Sequence, residues 1–509
     1  MTGAQAPARG WQGELLRRVF LHQNGLAAIT ALATLESSGI LSRLRRESVP
    51  PRELAAEARS PLVVMASLTA ACAAGWLTVE GDGTCLLVSA TASPGLAAAL
   101  DIVLDLHRAV READRDGSWS DASVFGRLLS CADAMSAAKA AVRGRTSMPD
   151  AEADLIVRLA EGVLAVPLLP RVPADYDRAT LAPLFAALEL ADDQASMRRM
   201  MSFFAPMYGL AGSYAQALIR LPDQVTARTI SPQDITRSID RGLNVRASAA
   251  AHQGYFHAAS AHVTKLFEEM PLSRQPRAIV DIGCGAGTWL RSLYNVIRKS
   301  TARGGALRQY PLHLIGVDLD HVALEISRQT LDDLPATCLT GDVGQPAAIA
   351  EAVASASGID MANALSVRAF VDHNRSLSGL ASTGADGLGL ADGVYGTPSG
   401  SVTCPDAVYR DWAAHYARWR LICGRHGLVV IEAHTLPVPD VRGRLEASHA
   451  LALQYYHSLS GQSIVPYPRF RAAAISAGLD SRGQTLYPRS SPTTSVSWLV
   501  PAQPGNGCA

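Results

Sequence analysis

The segment RAIVDIGCGAGTWLRSLYNVI, Arg277 to Ile297, constrains the fold of this chain more than any other stretch. It reads as an unbroken apolar strand, a turn carrying Gly283, Gly285 and Gly287, and then a helix with apolar residues on one face. Glycines in such a turn let backbone amides approach a ligand and let strand and helix pack closely. The pattern alone is shared by several nucleotide-binding folds. Asp281 sharpens it, because a carboxylate at the strand end, just before the glycines, would meet a cationic ligand group rather than a pyrophosphate.

Two further units repeat the theme. LHLIGVDLD ends in Asp318, whose carboxylate could accept both hydroxyls of a ribose. ATCLTGDVGQP places Asp342 at the tip of the next strand, within reach of an adenine amino group. A phosphate site would carry Arg or Lys at these places, so three acids at successive strand ends favour a cationic nucleoside. The bland alternative is that Asp318 and Asp342 are helix N-caps in a Rossmann-like sheet. HGLVVIEAH, the helix RFRAAAISAGL, and the terminal hairpin RGQTLYP and TTSVSWLVP continue the alternation of strands and helices.

A chain of 509 residues is expected to hold about three domains at roughly 150 residues each. Residues 10 to 95 read as helices followed by a hairpin, a winged-helix pattern. Residues 96–230 are rich in Ala, Leu and Met at helical spacing, and after Ser231 short β-type runs alternate with helices. The expected boundaries are therefore a leader at 1–95, a helical lid at 96–230 and a catalytic core at 231–509. Residues 381–401 read as a mobile loop or insertion, and Gly478 to Gly483, GLDSRG, as a turn.

Charge narrows the partners. Lys+Arg and Asp+Glu are both 46, so no excess positive charge is available to displace counterions from a nucleic acid or to hold an anionic membrane. Residues 1–100 contain eight arginines, no lysine and seven acids, and the uncharged third helix, Leu62 to Leu77, suits burial or a dimer contact better than a DNA groove. The eight cysteines form no CxxC pair, and no signal-like or membrane-spanning run is present, so a reducing, cytoplasmic setting is expected.

ALSVRAFVDHNRSL follows the fourth strand, where a ligand at the sheet edge would be met, and gathers Arg368, Asp372, His373, Asn374 and Arg375. Glu432, His434, His457 and Gln462 lie in stretches expected to converge on the same edge. Their mix of imidazole, amide and carboxylate suits a mononuclear Mn or Fe site. It equally suits a metal-free arrangement in which His373 and His457 are bases or capping groups and the arginines are ion-pair partners.

VDIGCGAG, GVDLD and GDVGQ resemble the first three motifs of class I S-adenosylmethionine (SAM)-dependent methyltransferases. SIDRGLNVRASAAAHQGYF, VRAFVDHNR and HSLSGQSIV, with FLHQNGLAAITALATLESSGIL near the N-terminus, are similar to the metal-dependent C-methyltransferase domains of polyketide synthase loading modules found beside GNAT-like domains. The resemblance implies an α/β, Rossmann-like class I methyltransferase core with a winged-helix-like leader and helical lid. It implies that Asp281 and Gly283, Gly285 and Gly287 hold the methionine part of SAM, Asp318 the ribose and Asp342 the adenine, with Tyr255 also at the cofactor. It further implies Fe or Mn held by His373 and Gln462, with Asp372 and His457 as bases or supporting groups and Arg368 or Arg375 steering the acceptor's carboxylate. Departures from the family pattern are Pro466 in place of an acid, Trp289 after the first motif and a longer 381–401 loop.

The expected function is methylation of the α-carbon of a malonyl-type unit, carried on an acyl carrier protein in trans, through a metal-stabilised enolate. A homodimer is a further expectation. Competing readings are an O-methyltransferase, a C-methyltransferase of free α-keto acids, and a decayed methyltransferase acting as a regulator or scaffold.

Overall fold

A computed structural model describes residues 11–80, 85–87, 94–113, 122–145, 150–172, 178–190, 201–202, 205–377, 380 and 393–502. The chain divides into two compact units, each assembled from three segments: residues 1–251, 376–405 and 436–462 in the first, and 252–375, 406–435 and 463–509 in the second.

The second unit is built on a seven-stranded sheet whose strands we number β1 (Ala278–Ile282), β2 (His313–Asp318), β3 (Ala336–Thr340), β4 (Ala364–Ala369), β5 (Leu428–Ala433), β6 (Leu479–Tyr487) and β7 (Thr494–Pro501). Their spatial order is β6-β7-β5-β4-β1-β2-β3. β1 to β5 run parallel and β7 enters antiparallel between β5 and β6. β1 is buried along its whole length, as are all six residues of β5. That explains the unbroken apolar runs of these strands, because a parallel strand covered on both faces gains nothing from alternation. The helix Thr288–Ser300 buries Trp289, Leu290, Leu293, Tyr294 and Ile297, a stripe at helical spacing that joins Ile279, Leu314, Leu365 and Ile431 in the core.

The strand order reverses at β1, with β2 on one side and β4 on the other. Ligands in open α/β sheets bind outside the carboxyl ends of the strands at such a switch point. The α/β expectation holds, and the residues at 478–483 depart from the turn expected there. Leu479 already starts β6, and a bulge between Ser481 and Gly483 absorbs the irregular sequence.

The first unit is helical. Helix Trp11–Ser37 lies against helix Asp150–Leu168 so closely that a Cβ on Gly25 would fall 1.9 Å from the Leu159 carbonyl oxygen, and one on Gly162 the same distance from that of His22. The buried polar groups between them are paired: His22 bridges Tyr208 at 2.7 Å and Glu161 at 2.8 Å, and Lys139 reaches Glu161 at 2.7 Å. Helices cover the described parts of 94–227. Near the N-terminus the helices Ile40–Leu44, Pro51–Glu57 and Pro61–Ala73 precede an antiparallel pair, Leu77–Val79 with Cys85–Leu87. In Pro61–Ala73 every residue from Leu62 onward is buried except Thr69. Its apolar surface is packed inside its own unit. Residues 381–392 of the expected mobile loop lie outside the described residues, while 393–403 form a short hairpin of Tyr395–Gly396 and Val402–Thr403. Among the described residues no helix is long and apolar enough to cross a membrane, and Cys72, Cys131, Cys284, Cys338, Cys404 and Cys423 form no disulfide.

Candidate active site

The glycine turn leaves β1 at its carboxyl end. Gly283, Gly285 and Gly287 have φ of 74°, 53° and 73°, a region that residues with a Cβ rarely enter. The three differ in what surrounds them. A Cβ on Gly287 would lie 2.5 Å from the Ser327 hydroxyl and one on Gly283 would lie 3.0 Å from Val371, whereas one on Gly285 would meet nothing within 4 Å. Gly287 and Gly283 thus serve packing, and Gly285 leaves open space over the loop for a ligand.

Two acids frame that space. Asp318 accepts the Gly285 amide at 2.9 Å and the Asp320 amide at 3.0 Å, tying the glycine loop to the end of β2 while lone pairs remain for a ribose. Asp281 is 2% exposed; burial, followed by the neighbouring Asp318 charge, pushes its carboxyl up to about 8. A buried acid in that state is poised to ionise when a cation arrives. Asp342 accepts the Gly344 amide at 2.8 Å in the turn after β3, and the neighbouring Val343 carbonyl accepts the Trp419 indole at 3.0 Å.

At the end of β4 a 3-10 turn holds Asp372, His373 and Asn374. His373 Nδ1 lies 2.5 Å from Glu432 Oε1, and Glu432 sits in β5. A carboxylate only accepts, so Nδ1 carries the proton and Nε2 is the ring's basic nitrogen. The other Glu432 oxygen is buried without a hydrogen-bond partner among the described residues.

Beneath the turn lies a buried ion cluster. Arg368 donates to Asp372 Oδ2 at 3.0 Å, the Tyr416 hydroxyl to the same oxygen at 2.8 Å, and His415 meets Oδ1 at 2.9 Å. Arg368 and Asp372 side chains are 1% and 0% exposed. Burial opposes charge on Asp372, yet Arg368 and His415 hold its carboxyl well below the usual range. Burial likewise pushes His415 down to about 3. The Arg368 guanidinium lies 4.5 Å from the Trp419 ring. Arg375 donates to the Asp372 carbonyl at 3.0 Å and pairs with Asp411 at 2.7 Å. These contacts bear on the alternative roles expected of the sequence-selected residues. Asp372, enclosed and held ionised, is an anchor rather than a base. Arg368 and Arg375 are committed to Asp372 and Asp411 rather than to an acceptor's carboxylate.

The remaining candidates divide. Tyr255 packs against Phe370 and Tyr487, with ring centroids 5.8 and 5.0 Å apart. His434 is a satisfied core residue, 2.8 Å from the Ser495 hydroxyl and 3.2 Å from the Val465 carbonyl. His457, in the first unit, sits 2.6 Å from the Leu453 carbonyl one helical turn back and 4.6 Å from the Tyr456 ring. Gln462 closes the last segment of the first unit, whereas His373 belongs to the second. Among the described residues no group of three or more His, Cys, Asp or Glu side chains is gathered so as to hold a metal ion. The carboxylate nearest His373 instead takes the proton-bearing side of its ring. Among the described residues, then, the histidine and carboxylate side chains are not gathered into the mixed cluster that their spacing suggested.

The helix Pro405–Ile422 supplies site residues that the motif reading missed. Trp412, His415, Tyr416 and Trp419 recur at helical spacing along its buried side, a stripe visible in PDAVYRDWAAHYARWRLI.

Sheet order, glycine loop and the acids at the ends of β1, β2 and β3 define a SAM-dependent methyltransferase of the Rossmann-like class. A family profile described as the AprA MT2-like domain matches residues 236–498, more than half of the chain. The chain belongs to the AprA MT2-like methyltransferase family. Similar solved structures include an O-methyltransferase family protein from Burkholderia thailandensis (12% identity, TM-score 0.36, covering 72% of this chain and 88% of that one). The CurJ carbon methyltransferase is similar at 12% identity and TM-score 0.35, covering 94% and 92%. SibL, a SAM-dependent methyltransferase in its apo form, is similar at 15% identity and TM-score 0.31, covering 80% and 99%. No curated protein matches the chain.

Proposed function

We propose that this protein is a C-methyltransferase of polyketide or related secondary metabolism, transferring the SAM methyl group to the α-carbon of a malonyl-type acyl unit, carried on an acyl carrier protein. The observation that carries the reading is the His373–Glu432 pair at 2.5 Å on the carboxyl edge of the sheet. The sulfonium methyl is already a strong electrophile, so the protein's tasks are alignment and formation of a nucleophile. His373 Nε2 takes the α-proton, and the Glu432 carboxylate stabilises the imidazolium and fixes the ring's orientation. The α-carbon then bonds to the methyl carbon as the S–CH3 bond breaks, and its electron pair leaves with neutral S-adenosylhomocysteine. Asp281 ionises against the methionine ammonium, Asp318 takes the ribose and Asp342 the adenine. The Asp372 cluster holds the 3-10 turn that carries His373.

A metal-assisted reading has one observation in its favour: metal-bound histidines commonly donate their second nitrogen to a carboxylate, as His373 does to Glu432. His373 Nε2 would then be a ligand of Fe or Mn, which would supply Lewis-acid stabilisation of the enolate. An O-methyltransferase uses the same base on a hydroxyl, so the acceptor decides between them.

The test is an intact-mass assay with malonyl carrier protein, a free malonyl thioester, small α-keto acids and a phenol, each with SAM. Mass gain of one or two methyl groups on the carrier-bound acyl unit alone is the expected result. Methylation of the phenol, or of free acids only, would replace this reading with its competitors.

A further inference from the structure

We propose that the rings of Tyr255, Phe370 and His252 form an aromatic box that receives the sulfonium of SAM, an inference that rests on the methyltransferase reading and deepens it. His252 stacks on Phe370 with centroids 4.0 Å apart and planes 27° apart, and Tyr255 meets the same ring edge-on at 5.8 Å. Tyr487 packs on the far side of Tyr255 at 5.0 Å. All four are half-buried rather than sealed in the core, so part of each ring remains open.

Their place in the fold matches the place a methyl donor must occupy. Phe370 follows β4 directly and precedes the turn that carries His373. Its neighbour Val371 is the residue a Cβ on Gly283 would touch, at 3.0 Å, so the box adjoins the glycine loop. Tyr487 ends β6, opposite Thr494 of β7, which in turn pairs with Ala433 at the carboxyl end of β5. On the loop's other side, Phe256 of the same helix as Tyr255 stacks on Trp289, 5.0 Å away, in the first turn after the glycines.

Phe370 is also held in an uncommon backbone conformation. Its φ is 56°, a left-handed value uncommon for a bulky residue and costly enough to persist only where its surroundings impose it. Those surroundings are present. The Phe370 amide donates to the Ile431 carbonyl at 2.8 Å, and its own carbonyl accepts the Asn374 side chain at 2.9 Å. Both ends of the residue are pinned, and the ring is thereby turned toward His252 and Tyr255. Neutral aromatic faces attract a desolvated onium group through their quadrupole, and the sulfonium is the one group that SAM loses on becoming S-adenosylhomocysteine.

Calorimetric titration of SAM and S-adenosylhomocysteine into the whole protein and into Tyr255→Leu, Tyr255→Phe and Phe370→Leu tests the box. The leucine variants are expected to lose about threefold to thirtyfold in SAM affinity, with S-adenosylhomocysteine affinity within about twofold of wild type, and Tyr255→Phe to retain both. Equal weakening of the two ligands, or no weakening of either, would overturn the proposal. Should Phe370→Leu fail to fold, the Tyr255 pair decides it alone. Wild-type protein that binds neither nucleoside would bring down the underlying cofactor reading instead, which is distinguishable because the variants then play no part.

Discussion

His373, in the 3-10 turn after β4, meets Glu432 of the neighbouring parallel strand β5 at 2.5 Å, so the ring is oriented by a carboxylate that the sheet holds in place. Replacing His373 with Ala is expected to lower methyl transfer by about 100-fold to 10,000-fold while SAM affinity stays close to wild type. Single-turnover mass analysis beside calorimetry checks this. Retained transfer would remove the base from His373.

Glu432→Gln keeps shape but offers no negative charge to the imidazolium. Turnover is expected to fall about 10-fold to 100-fold with little change in KM. A proportional rise in KM with turnover unchanged would show that Glu432 serves only packing.

Asp281 gives SAM binding a pH dependence of defined sign. Its carboxyl is raised to about 8 in the free protein, and pairing with the cofactor's ammonium requires the ionised form, so binding releases a proton. Affinity should therefore rise as pH goes from 6 to about 8, and Asp281→Asn should abolish the slope and weaken binding. The same shift means that the free protein holds this proton more tightly than the unfolded chain does. Its contribution thus favours folding below about pH 4 and is lost as pH rises toward 8.

Asp372→Asn leaves the Arg368 guanidinium buried beside a neutral partner. Breaking a buried pair in this way costs about 3–5 kcal/mol, to be read by denaturant titration. A loss below about 1 kcal/mol would mean that Trp419 and Tyr416 alone suffice to hold the charge.

Exhaustive dialysis against a chelator separates the two enolate readings. With proton removal by His373 and Glu432, methyl transfer survives. Loss that only Fe or Mn restores would transfer the role of Nε2 to metal binding.

The cofactor half of the site was legible because each of its signals is local. Strand, glycine turn and the acid after each strand lie within a few residues of one another, and the backbone alone brings Asp281, Gly285 and Asp318 together. The acceptor half depends on which of several charged neighbours is buried, and spacing does not encode burial. Arg368 and Asp372 looked available for chemistry because both lie in a dense polar run; in the fold they neutralise each other under helix Pro405–Ile422. That helix carried a readable aromatic stripe, yet nothing in its sequence says that the stripe faces a carboxylate. The left-handed Phe370 had no sequence signal, since its conformation is imposed by Ile431 and Asn374 from outside.

One indole touches both halves. Trp419 donates to the Val343 carbonyl, next to Asp342, and its ring face lies under Arg368, the partner of Asp372. Thermal displacement of this helix would carry the turn bearing Asp342 and the turn bearing His373 in the same direction. With Asp342 at the adenine and His373 as the base, as proposed, the separation between methyl donor and base would be steadier than either position. Because an error of about 1 Å in such a separation can cost 100-fold in rate, selection on turnover would act on Trp419 although it meets no reacting atom, and a change there would have to be matched on both sides at once.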